Sequence, residues 1–207
     1  MNPNSTPEKP VRLRERLREA TSGAILSAAE EAFAAEGAKA RMESIAARAG
    51  IAVGTLYNHF ADREALWRAV CATQRDALLA RLDGALSDGR RRPFCEALAL
   101  FVDALVAHWA EHRGFLAVLV QTEPAGARGA KDQRNTAQEI TARAARLVRR
   151  GAADGVLQDG AVDLHAAFLV GMMRQLLLLD GDHAAAAPGA VRDAVLEFFL
   201  HGAARRP

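Results

Sequence analysis

Arg41 to Arg63 reads RMESIAARAGIAVGTLYNHFADR, and its spacing predicts two short helices joined by a tight turn. Met42, Ile45, Ala46 and Ala49 recur at i, i+3, i+4 and i+7, which puts them on one helical face. The small alanines let another helix approach closely. Gly50 stands where a helix ends in the left-handed conformation that glycine adopts without a Cβ clash, so the chain reverses through Gly50, Ile51 and Ala52. In the second helix Val53, Leu56 and Phe60 fall on one side, Gly54, Thr55, Asn58 and His59 on the other, and Tyr57 on the flank. An apolar face clamped by the preceding helix, with short polar side chains outward, is the geometry of a helix-turn-helix, whose second helix enters the major groove. Gly54 lets that helix come close.

The run IAARAGIAVGTLYNHFADREAL resembles the signature of the tetracycline-repressor (TetR) family of bacterial regulators. It has that family's Ile-Ala pair, Ala-Gly turn, Gly-Thr-Leu-Tyr, aromatic Phe and basic residue before the next helix. The resemblance covers mainly residues 21–70. It implies an all-α chain with an N-terminal three-helix helix-turn-helix DNA-binding domain and a C-terminal helical domain for ligand binding and dimerisation. It also implies that Val53, Gly54, Thr55, Asn58 and His59 face base edges, and that Tyr57, Arg63, Arg41 and Met42 touch the DNA backbone. On that reading Asn58 bonds adenine and Val53 meets a thymine methyl. Three positions depart from the pattern. Arg41 and Ala52 stand where the family has Ser or Thr helix caps, each worth about 1 kcal/mol, so tertiary contacts must hold those helix ends. Glu43 stands where members often have Arg or another non-acidic residue; it repels phosphate but can accept a hydrogen bond from cytosine.

The 207 residues are 50% hydrophobic, 25% charged and only 5% aromatic, a balance rich in Ala, Leu and Arg that favours helix over sheet. The net charge is +2, and residues 1–63 hold nine Lys or Arg against eight Asp or Glu. Bulk charge therefore does not establish DNA binding; local placement must supply it. Cys71 and Cys95 are too few for a disulfide framework, no signal peptide is evident, and no apolar run reaches the roughly 18 to 20 residues needed to cross a bilayer. The expectation is a cytoplasmic protein without membrane contact.

Along the chain, residues 1–20 read as a basic, partly disordered arm, 21–70 as the DNA-binding domain, and 71–207 as the effector-binding and dimerisation domain. Arg12, Arg14, Arg16 and Arg18 are either a basic arm or an early turn of the first helix. That helix is expected over Thr21 to Glu36, with Ile25, Ala28, Ala29, Ala32 and Phe33 buried and Gly37 as its stop. Asp62 caps a long helix running toward Leu86. Ser87 to Pro93 breaks the period, and its three arginines read as a solvated loop. Phe94 to His112 is apolar-periodic, Phe115 to Gln121 a short apolar segment, Pro124 to Gly129 a loop, and Lys131 to Gly151 a charged amphipathic helix. Val162 to Leu179 is apolar on nearly every side, and Val191 to Leu200 adds Val195, Leu196, Phe198 and Phe199. Helices of that kind need cover from a partner subunit, which points to a homodimer through helices at about 162–180 and 188–203. Two subunits then read two half-sites of a double-stranded operator.

His108-Trp109-Ala110-Glu111-His112 matches the H-x-x-E-H zinc-protease pattern. A metal-dependent hydrolase needs a third ligand, for which Glu123 and His165 are candidates that nothing in the sequence brings near. The plainer reading is an accidental match at a helix end, with no cofactor and no metal. Phe101, Leu105, His108, Trp109, Phe115, Met172, Met173 and Gln175 are candidate walls of a small-molecule effector pocket. The function expected is a sequence-specific transcriptional regulator, a repressor released by a small, largely apolar ligand, and not an enzyme. The alternatives are the hydrolase and a protein-interaction module that has lost DNA binding.

Overall fold

The structure is a computed structural model that describes residues 10–122, 126–158, 160–176 and 188–203. Within them lie α1 (Pro10–Glu36), α2 (Met42–Arg48), α3 (Val53–His59), α4 (Arg63–Asp88), α5 (Phe94–Gln121), α6 (Gly126–Ala153), α7 (Val162–Leu176) and α8 (Pro188–Ala203). The chain divides into two compact units, Met1–Ala72 and Thr73–Pro207.

In the first unit α1 packs on α2, and α2 on α3. The expected stripe of Ile25, Ala28, Ala29, Ala32 and Phe33 is buried, and so are Ile45, Ala46, Leu56, Leu66 and Val70. Trp67 meets the Phe33 ring edge-on at 4.8 Å. The helix α1 begins at Pro10 rather than at Thr21. Proline suits a first helical position, and Arg, Leu and Glu sustain the helix that follows. The Thr21 hydroxyl donates to the Leu17 carbonyl at 2.8 Å, so Thr21 sits inside the helix instead of capping it. The Asp62 cap is present: its Oδ1 accepts the Ala65 N–H at 2.6 Å.

In the second unit α5 lies against α6 and α8, and α7 against the same two helices. Leu98, Phe101, Val148, Leu169, Val195 and Phe199 meet in the core with Leu82 of α4. Phe115 to Gln121 is not a separate segment but the end of α5, which bends at His112 (φ −112°, ψ 19°); no proline intervenes, so the helix resumes beyond the bend. Residues 126–129 are helical rather than loop, because a long packed helix outweighs the roughly 1 kcal/mol that each glycine costs. The rest of that expected loop, residues 124 and 125, lies outside the described residues. Gly151 does not end α6, which continues to Ala153. It is there because an added Cβ would stand 2.5 Å from the buried Phe94 ring.

Charged pairs tie α4 to its neighbours within this unit. Asp83 accepts from Arg143 at 2.7 Å and from Arg146 at 3.1 Å, and Arg81 forks onto both oxygens of Glu111. Arg150 donates to the carbonyls of Gly89 and Arg92, which satisfies the loop after α4 while Arg90, Arg91 and Arg92 stay exposed. The helix α7 buries Ala166, Leu169 and Met173 and leaves Leu164 and Phe168 exposed. Residues 177–179 of the expected span lie outside the described residues, and α8 starts at Pro188, ahead of Val191. Among the described residues no helix is long and apolar enough to cross a membrane.

Candidate nucleic-acid interface

The turn between α2 and α3 is built on two backbone bonds. With Gly50 at φ +66°, its N–H donates to Ala47 O at 3.2 Å and the Ile51 N–H to Ala46 O at 3.0 Å. This is the Schellman pattern that a left-handed glycine closes. Arg41 and Ala52 occupy the N-cap positions of α2 and α3 in extended conformation, and neither makes a side-chain cap bond. The two seven-residue helices are held instead by burial, with Met42, Ile45 and Ala46 of α2 and Leu56 of α3 pressed into the core.

Leu56 fixes how α3 faces outward. Gly54 and Asn58 are exposed, Tyr57 is 48% exposed, and Val53, Thr55 and His59 are half-buried. A Cβ built on Gly54 meets nothing within 4 Å, so internal packing does not require a glycine here. Arg41 is exposed, while Met42 is buried and leaves only its main chain for an outside contact. The Arg63 guanidinium donates to the Ala38 carbonyl and so braces the loop before α2.

The sequence reading missed a second brace. Glu36 at the end of α1 accepts from the Ser44 hydroxyl at 2.6 Å and from Arg48 at 3.2 Å, which ties α2 to α1. The Ser44 bond, then Arg48, holds this carboxyl below its ordinary range. Partners eight and twelve residues apart leave no local periodicity to read.

In the second unit Phe101, Leu105, Met172 and Met173 gather in one apolar cluster. Phe115 is buried, Trp109 is half-buried, and Gln175 is exposed. Arg113 lies 5.3 Å over the Trp109 ring. His108 is 2% exposed, with no hydrogen-bond partner at Nδ1, and its ring lies 4.7 Å from His112. Burial first, then His112 and Arg81, pushes the His108 imidazole down to about 4, so it is neutral at physiological pH. The Arg81 fork, above all, holds Glu111 below the usual carboxylate range, which makes it a poor proton acceptor for hydrolysis. His165, on α7, turns an edge toward Phe199 at 6.4 Å; Glu123 lies outside the described residues. No three His, Cys, Asp or Glu side chains come together as a metal set among the described residues.

Residues 25–70 match the family model of the bacterial regulatory proteins of the tetR family. The chain carries the amino-terminal domain of the tetR family. That tetR-family match spans the later part of α1, the whole helix-turn-helix and the start of α4. Over its length the fold is similar to that of a tetR-family bacterial regulatory protein from Rhodococcus RHA1, at 21% identity and a TM-score of 0.73, covering 90% of this chain and 98% of the other. It is similar also to the fatty acid degradation regulator FadR from Bacillus halodurans, at 19% identity and a TM-score of 0.74, with 90% and 97% covered. A third similar fold is that of SmeT, solved as a complex with triclosan, at 22% identity and a TM-score of 0.70, with 90% and 92% covered. No curated protein matches the chain in sequence.

Proposed function

We propose that this chain is a sequence-specific DNA-binding transcriptional regulator that acts in the cytoplasm as a homodimeric repressor and leaves its operator on binding a small, largely apolar ligand. The observation that carries the reading is α3. Leu56 anchors it, Gly54, Tyr57 and Asn58 are turned outward, and its glycine has no internal packing reason. A glycine inside a helix costs up to about 1 kcal/mol against alanine, a cost that close approach to a groove explains. On this reading Val53, Gly54, Thr55, Asn58 and His59 meet base edges, and Arg41, the main chain of Met42, Tyr57 and Arg63 set the register on phosphates.

Dimerisation is supported by Leu164, Phe168 and Phe198, which are 59%, 62% and 71% exposed on α7 and α8. Leu164 and Phe168 are one turn apart on the same face of α7, and an apolar surface of that kind fits a second copy. The effector reading draws support from the mainly apolar cluster around Phe101 and Met173 beside a neutral His108, and from the triclosan complex of SmeT, a similar fold. A ligand that binds one conformer better than the other shifts the population by that difference in affinity. Residues 73–88 of α4, packed into the second unit, would carry the shift toward the DNA-binding domain.

Binding of the purified protein to DNA from its own upstream region, at stated salt, tests the reading. Selective binding as a dimer, weakened across all sequences in Tyr57→Ala, is the expected result. If neither that DNA nor any site from a random-sequence selection is preferred, the regulator reading is wrong.

A further inference from the structure

One face of α5 carries Phe101, Leu105 and His108 in successive turns, at the spacing that aligns side chains along a helix. Phe115 follows two turns after His108, beyond the bend at His112. Phe101, His108 and Phe115 are buried, and Leu105 packs against the core. An apolar stripe is thus interrupted by the buried imidazole of His108 and then by His112, whose side chain is 24% accessible.

Buried polar side chains in folded proteins nearly always hold a partner, because a polar atom left alone in an apolar interior forfeits its bonds to water. The Nδ1 of His108 has none. His112 does not supply one, since the two rings meet at 4.7 Å between centroids with their planes tilted by 46°, which is a ring contact and not a hydrogen bond. A trapped water needs about three polar partners of its own, and the stripe beside His108 is mostly apolar. An apolar molecule with a single polar group fits such a place better.

The charge of that molecule is limited by what surrounds the ring. Arg81 of α4 forks onto both oxygens of Glu111, and Arg113 lies over the Trp109 ring, so a ligand carboxylate would find both arginines committed. Burial first, then His112 and Arg81, holds the His108 imidazole down to about 4, and at pH 7 only about one ring in a thousand is protonated. A hydroxyl both donates and accepts, so it suits either tautomer of a neutral imidazole.

We propose that His108 is the polar anchor of the effector site, its Nδ1 hydrogen-bonded to the hydroxyl of an uncharged ligand whose apolar body lies along the Phe101 and Leu105 face of α5. The assignment rests on the effector reading above and adds to it the chemistry of the ligand. Met172 and Met173, in the same cluster as Phe101 and Leu105, are side chains that adapt to the shape of an apolar body. One placed polar group in an apolar wall fixes the orientation of what binds there.

The test is calorimetric titration of the full chain and of His108→Phe with three probes of one shape: β-naphthol, its apolar isostere β-methylnaphthalene, and β-naphthoate. The wild type should bind β-naphthol about 10-fold or more tightly than either of the others, the size of one hydrogen bond to a buried group. His108→Phe should lose about 10-fold in affinity for β-naphthol and keep its affinity for β-methylnaphthalene, which shows that the site still forms. The comparison of probes on the wild type needs no variant. If β-naphthoate or β-methylnaphthalene binds the wild type as tightly as β-naphthol, or if His108→Phe binds β-naphthol like the wild type, His108 is not the anchor, and a ligand site in the second unit still stands. Absence of binding by all three probes overturns the proposal as well; the effector reading is then decided separately, by whether any compound releases the protein from its selected DNA.

Discussion

The two units are held together by different means. In the first, two helices of seven residues each lack side-chain caps and are fixed mainly by burial of Ile45, Ala46 and Leu56 in the core of that unit. In the second, long helices share a larger core and are also stitched by charge, through Asp83 to Arg143 and Arg146, Arg81 to Glu111, and Arg150 to two loop carbonyls. Short helices gain little from propensity, so packing decides where α3 points, helped by the Glu36 bonds that tie α2 to α1. Long helices can slide or tilt, and charged pairs at defined positions set their register.

The largest expected effect tests the packing side of this contrast. Phe33→Ala should destabilise the first unit by about 3–5 kcal/mol, seen in urea melts followed by fluorescence of Trp67, whose ring meets Phe33. A loss below about 1 kcal/mol would mean that burial does not hold the reading helix.

Next comes the polar interior of the second unit. His108 has its folded-state value at about 4 against an ordinary 6.5. Above pH 6.5 it is neutral in both states and has no effect on stability. As pH falls from 6.5 toward 4, the unfolded chain takes up a proton that the folded chain refuses, so stability is lost across that window, by up to about 3 kcal/mol. His108→Phe should flatten this part of the pH profile in urea midpoints; an unchanged profile would assign the loss to other groups.

The charge stitching is weaker. Asp83 is about half exposed, with 48% of its side chain accessible, so after solvent screening Asp83→Asn should cost about 1 kcal/mol, and high salt should shrink the difference. Below its ordinary range the Asp83 carboxyl is held chiefly by the Arg143 bond. The stability it lends is present above the ordinary carboxylate value and disappears as acid protonates the folded form. A difference that ignores salt would show that Asp83 matters through packing instead.

The smallest effect is the most pointed. Gly54→Ala should stabilise the protein by up to about 1 kcal/mol, since its added Cβ meets nothing within 4 Å, while DNA affinity falls. If both stability and affinity rise, close approach of α3 is not the reason for the glycine.

How far the sequence foretold these features depended on the range of the interaction. Gly50, the Asp62 cap and the buried stripe of α1 are local signals, and each is where its spacing put it. The break read at His112 is real but is a bend within α5. The helix α1 starts at Pro10 rather than Thr21, which agrees with the reading of Arg12 to Arg18 as an early turn of the first helix. The start of α6 was misplaced because glycines at 126 and 129 weigh against a helix locally. Asp83 and Arg143, sixty residues apart, follow no periodicity, so the stitching of the second unit became visible only in three dimensions. The outward face of α3 was legible as a pattern, but not that Arg63 turns back to Ala38 or that Gln175 lies exposed.

The measurement nearest the central claim is a random-sequence DNA selection with the full chain, followed by affinities of wild type and Asn58→Ala for the enriched duplex and a scrambled one at 150 mM salt. The wild type should prefer the enriched duplex by about 10³-fold or more, and Asn58→Ala should lose roughly 1–3 kcal/mol of that preference at one base position. No enriched site, or equal affinity for both duplexes, would contradict the account.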